Sequence, residues 1–140
     1  MYAQSRILIP TVFGVSGGVD QICMEDEARR EEATELVPQS IKEIEPLLGS
    51  FHYAPKMIFC STHQCFERFG FKQAAAPKMG KAGTVVAPRG WTQYYIKHEL
   101  IHHWRAQELG LIELMCASMW IWEGMAYALS DDPRRPLTEP

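Results

Sequence analysis

Two imidazoles and a carboxylate stand in the string His98-Glu99-Leu100-Ile101-His102. On a helix, residues four apart differ by only a small rotation, so His98 and His102 project from one face. Ring nitrogens presented in pairs this way are ligands for a divalent cation, and zinc is the ion that the spacing suits. Glu99 leaves on an adjacent face, where it reaches a water on the metal without being a ligand, the position of a general base. Zinc lowers the pKa of a bound water to about 7, so a carboxylate completes its activation at neutral pH. A third ligand is offered by Glu123 in Trp122-Glu123-Gly124-Met125-Ala126. Met115, Met119, Trp122, Ala126 and Leu129 recur at helical spacing as an apolar stripe. A carboxylate beside such a stripe needs a cation or good donors to offset its desolvation. The expectation is one zinc ion held by His98, His102 and Glu123, with a fourth position open and Glu99 as catalytic base.

Other polar residues near these strings have two readings each. Asp131 follows Glu123 by two turns. It either orients His98 or His102 through the second ring nitrogen, as carboxylates commonly do for metal-bound histidines, or belongs with Asp132 to a solvated acidic pair. Tyr94 and Tyr127 lie one turn from His98 and Glu123, as candidate oxyanion donors or as core tyrosines with a hydrogen-bonded tip. His103 leaves on a different face from His102 and reads as a packing or solvent residue. His52 and His63 have no metal-like spacing. Thr84, Val85, Val86 and Ala87 form a β-branched run just before the motif helix. An exposed edge there would pair with an extended peptide and lay it across the metal.

The elements that carry these residues follow from periodicity and punctuation. Cys23 to Leu48 reads as a helix, with Leu36, Val37, Ile41, Ile44, Leu47 and Leu48 at helical spacing and Pro38 and Pro46 expected to kink or divide it. Lys56 to Cys60 suits a buried strand. Ser61 or Thr62 caps a short helix through Phe69, and Gly70 stops it. The Ala-, Gly- and Lys-rich segment from Phe71 to Gly83 holds at most one weak strand, and Thr84 to Ala87 is a better one. Thr92 starts the motif helix, which runs to about Leu109 before Gly110, and a last helix spans about Glu113 to Leu129. The outline is an α+β fold in a single domain over residues 1–140, with 1–20 and 131–140 loosely held.

Composition narrows the function. The 140 residues are 46% hydrophobic, enough for a real core, and the net charge of −3 argues against nucleic acid or anionic lipid as partner. No apolar run reaches the length of a membrane span. Ile7 to Val19 is interrupted by Pro10, Gly14, Gly17 and Gly18 and lacks a basic leader, so it does not read as an intact signal peptide; any membrane link would come from an upstream segment. No C-x-x-C pair occurs among the four cysteines, which argues against a structural zinc knuckle. Cys60 and Cys65 form either a local disulfide, pointing to an oxidising compartment, or two buried thiols.

Taken together, the segment Ile96-Lys97-His98-Glu99-Leu100-Ile101-His102-His103-Trp104 and the segment Trp122-Glu123-Gly124-Met125-Ala126 resemble the gluzincins and look like their aminopeptidase branch. Through Ser130-Asp131-Asp132-Pro133 the chain looks like short, uncharacterised bacterial metallopeptidases, minimal gluzincins. The likeness is specific from Ala87 to Pro133 and vague before it. It implies a small zincin-like domain with a short mixed sheet of two to three strands packed on helices. It also implies zinc-dependent peptide-bond hydrolysis, with His98, His102 and Glu123 as ligands and Glu99 as base, a strand above the cleft, and a place in the bacterial cell envelope or outside it. The chain departs from larger gluzincins, which have a long C-terminal subdomain that forms the lower cleft wall and supplies a catalytic tyrosine or histidine. It also shows no exopeptidase motif. A second expectation therefore stands beside the protease: a non-catalytic, zinc-stabilised module that binds a peptide or protein.

Overall fold

A computed structural model describes residues 7–17, 21–71, 83–109, 116 and 118–133. Three short strands, β1 (Ile22–Met24), β2 (Met57–Phe59) and β3 (Thr84–Val86), form a sheet in the order β1-β2-β3. Both pairings are parallel, Ile22 opposite Met57 and Met57 opposite Thr84. The sheet is thus parallel rather than mixed; among the described residues the antiparallel contact is an isolated bridge from Ser16 to Met24. Parallel neighbours require a crossover, and α1 (Arg30–Leu48) supplies it between β1 and β2. A short α2 (His63–Arg68) follows β2, α3 (Gln93–Glu108) follows β3, and α4 (Met119–Leu129) comes last. The coarse expectation of a small sheet packed on helices holds.

A parallel sheet buries both faces, and the strand residues divide with period two. Ile22, Met24, Met57, Phe59 and Val86 join a core with Ala33, Val37 and Ile44 of α1, Tyr95, Ile96, Leu100 and Ile101 of α3 and Ala126 of α4. Cys23, Ile58 and Val85 face a second core with Ile7, Val15, Cys65, Phe66 and Phe69. This two-sided burial explains why the strands read as uninterrupted apolar runs. It also corrects the role expected for Thr84, Val85, Val86 and Ala87: all four are buried, so the strand does not present the exposed surface that a docked peptide would need.

Two further corrections concern α1. Its expected start at Cys23 falls inside β1, and the helical chain begins after Asp26, whose carboxylate accepts from the Ala28 N–H and caps the turn Glu27–Arg29. A three-residue strand is too short for its periodicity to stand out against an acidic, alanine-containing stretch. Pro38 and Pro46 do not divide the helix. Both are exposed, so the carbonyls that lose an N–H partner are able to meet water.

The short helix α2 is capped as expected by Thr62, which accepts from the Cys65 N–H. Glu25 at the end of β1 accepts from the Ser61 N–H at 2.9 Å, the Thr62 N–H at 2.8 Å and the Thr62 hydroxyl at 2.7 Å, fixing this corner to the sheet. Cys60 and Cys65 are joined by a disulfide, with Cα atoms 5.5 Å apart. The ring it closes is short, and restricting so small a loop in the unfolded chain stabilises by about 2 kcal/mol. Cys60→Ser combined with Cys65→Ser is expected to lower the unfolding free energy by roughly that amount in a urea titration, and an unchanged midpoint would contradict it.

The turn Pro88–Gly90 leads into α3. A Cβ at Gly90 would lie 2.7 Å from Tyr95 Cε1, so only glycine lets this turn close onto the first turn of the helix. Tyr95 to Ile101 are buried without a break, because α3 is covered by α1, α4 and the sheet. The expectations for Gly110, Glu113, Met115 and the tail beyond Pro133, and for most of the segment between Phe71 and Gly83, lie outside the described residues.

Candidate metal centre

Helices α3 and α4 run antiparallel: His98 meets Tyr127 and Asp132, whereas Arg105, farther along α3, meets Trp122 at the start of α4. Between these levels the helices bring three donors together. His98 Nε2 lies 3.2 Å from His102 Nε2 and 3.3 Å from Glu123 Oε2, and His102 Nε2 lies 3.6 Å from Glu123 Oε1. His98 is buried, with 5% of its side chain exposed, while His102 at 25% and Glu123 at 29% open the cluster to solvent on one side.

The donor set fits zinc. Four ligands at about 2.05 Å in a tetrahedron are separated by about 3.3 Å, and the three distances here fall close to that edge. Two Nε2 atoms this close, beside a carboxylate, form a site that a proton or a cation is able to bridge. Hydrogen bonds to His102 and His98 hold the Glu123 carboxyl well below the usual carboxylate range, so it is a carboxylate at any working pH. Three donors on one side leave room for a fourth ligand on the solvent-facing side.

The Tyr127 ring meets His98 edge-on, with centroids 4.6 Å apart, and so flanks the first of the three donors. Tyr94 is half-buried and packs against the main core. Glu99 is buried, with 3% exposed.

Of its two readings, Asp131 does not take the one that faces the histidines; it lies exposed at the end of α4. Its carboxylate accepts from Lys97 Nζ at 2.6 Å, and Asp132 is the residue that faces His98, with Oδ2 3.7 Å from Nδ1. The cause is local: Asp131 adopts φ 58°, a left-handed conformation that aspartate tolerates, so the chain turns at the end of α4 and buries the next side chain. The acidic pair was visible in the sequence, but the turn that chooses between its members was not. Lys97 also reaches Glu43 at 3.2 Å, which ties α1, α3 and the end of α4 together behind the ligands. Burial opposes the charge on Lys97, but the hydrogen bonds to Asp131 and Glu43 together outweigh it and hold the ammonium above its ordinary pKa.

His103 is no ligand. It is buried, and its Nε2 lies 2.7 Å from the Thr84 hydroxyl of β3, fixing α3 to the sheet. Burial, with a smaller contribution from His102, pushes it down to about 4. The unfolded chain therefore takes up this proton near pH 6.5 and the folded chain only near 4, so stability falls as the pH drops through that window, by up to about 3 kcal/mol. In urea titrations with a chelator present, His103→Gln is expected to flatten the loss of stability between pH 7 and pH 4.5. An unchanged slope would contradict the assignment.

A second group of potential ligand atoms, from Glu25, Cys60 and Cys65, is already committed: the sulfurs form the disulfide and the carboxylate accepts from the Ser61 and Thr62 N–H groups. No protein-family model matches the chain, and no curated protein or solved structure is significantly similar to it. Its site is therefore read from its own geometry. No helix among the described residues is long and apolar enough to cross a membrane.

Proposed function

We propose that the chain is a zinc-dependent peptide-bond hydrolase of the gluzincin type, built on a minimal zincin-like domain. One observation carries this reading: His98, His102 and Glu123, drawn from two helices, converge with the separations of three corners of a tetrahedron. Zinc, when bound, supplies a Lewis acid that polarises a peptide carbonyl and makes water nucleophilic near neutral pH. The chain supplies the rest. His98 packs against the Tyr127 ring, and the Asp132 carboxylate faces its Nδ1 at 3.7 Å, where it would orient the imidazole. Glu99 takes the proton of the attacking water and returns it to the leaving amine. Tyr127, whose ring packs against His98, is the candidate oxyanion donor. The Cys60–Cys65 disulfide accords with the oxidising conditions of a cell envelope or the extracellular space.

The rival reading, a non-catalytic zinc-stabilised module for a peptide or protein, draws on the burial of Glu99 and of the strand Thr84 to Ala87. Incubating the zinc-loaded chain with a diverse peptide library and sequencing the products separates the two. Defined cuts that vanish with a chelator are expected. Stoichiometric zinc and peptide binding without any cut would favour the module.

A further inference from the structure

Arg105 stands on the same face of α3 as the ligands. Seven residues after His98 the helix has turned back to within about 20° of it, and three residues after His102 it has advanced by about 4.5 Å. Helical side chains lean towards the N-terminus, so a long side chain at this position covers the turn that holds His102. Arg105 is 7% exposed, and its guanidinium stacks on the Trp122 ring, 3.3 Å from the centroid and next to Glu123 in sequence. Nη1 is buried with no hydrogen-bond partner among the described residues. Stacking on an aromatic face offers a cation attraction but no acceptor for its N–H groups. A buried guanidinium is costly when, as here among the described residues, no carboxylate pairs with it, and burial pulls Arg105 below its ordinary pKa.

The beginning of α4 adds to this. Its N-cap, Ser118, makes no side-chain hydrogen bond, and no acidic residue lies in its first turn. The positive end of the helix dipole therefore lies beside the buried cation, which stacks on Trp122 in the first turns of α4. The charge missing from both is negative.

We propose that Arg105, with the start of α4, binds a carboxylate of the peptide substrate about one turn from the metal ligands. The inference rests on the hydrolase reading for the ligand being a peptide, although the anion site itself follows from Arg105. The carboxylate belongs either to the C-terminus of a peptide or to an acidic side chain, and a fork-shaped guanidinium takes either one through paired hydrogen bonds.

The test is binding rather than turnover. Glu99→Gln protein, zinc-loaded and zinc-free, is titrated calorimetrically with N-acetyl-trialanine, with its C-terminal amide, and with the amide of N-acetyl-Ala-Asp-Ala. At least one carboxylate peptide is expected to bind about 10- to 100-fold more tightly than the neutral amide. Which one does so identifies the source of the carboxylate. Arg105→Met is expected to erase the preference and Arg105→Lys to keep part of it. Equal binding of all three peptides, no binding of any, or a preference that survives Arg105→Met would overturn the proposal. The comparison of peptides on Arg105-containing protein needs no Arg105 variant, so misfolding of a variant cannot obscure it. Because zinc-free protein is included, a failure here is distinct from a failure of metal binding, and library cleavage without carboxylate preference would leave the hydrolase reading standing.

Discussion

Glu99→Gln is expected to lower peptide turnover by roughly 10²- to 10⁴-fold while leaving zinc at one ion per chain, the range general-base catalysis supplies. The substitution preserves shape and removes the ability to take a proton. His98 and His102 lie on the face that meets Glu123, and Glu99, between them in sequence, is not among the three converging donors. The metal therefore has no reason to leave with the carboxylate. Glu99 is buried, so glutamine changes its charge in an enclosed space and a thermal melt belongs beside the kinetics. Turnover measured against the best library peptide, with metal analysis on the same sample, checks both halves. Full activity in Glu99→Gln would remove Glu99 from the mechanism.

Glu123→Ala and His102→Ala are expected to weaken zinc binding by about 10²- to 10³-fold. This follows if a zinc site worth about 10–16 kcal/mol draws on four ligands in similar shares. Asp132→Asn, which changes the carboxylate facing His98 Nδ1, is expected to cost about 10- to 100-fold. Asp131→Asn is expected to leave zinc affinity nearly unchanged, because its carboxylate is engaged with Lys97. Competition against a chromogenic chelator ranks the four variants. A greater loss from Asp131→Asn than from Asp132→Asn would contradict the geometry of this corner.

Much of the arrangement is legible in the chain because it depends on local periodicity. The four-residue spacing of His98 and His102 and the apolar stripe around Glu123 place the donors on helix faces before any packing is known. β2, β3 and the cap of α2 at Thr62 are signalled by short-range punctuation of the same kind. What was hidden depends on tertiary choices. β1 is three residues long and gains its strand character from pairing with β2. The direction of the strands is set by crossovers, so the expected mixed sheet proved parallel. The choice between Asp131 and Asp132 rests on a single left-handed residue. Arg105 shares the helical face of His98, a spacing that was in view, but its burial without a carboxylate becomes visible only when α4 is packed against it.

The most direct test is anomalous diffraction at the zinc edge from crystals of protein purified without added metal. One peak per chain is predicted, about 2.0–2.2 Å from His98 Nε2, His102 Nε2 and a Glu123 carboxylate oxygen. A metal-free chain with Glu123 turned away from the imidazoles, or a zinc ion bound elsewhere, would contradict the account.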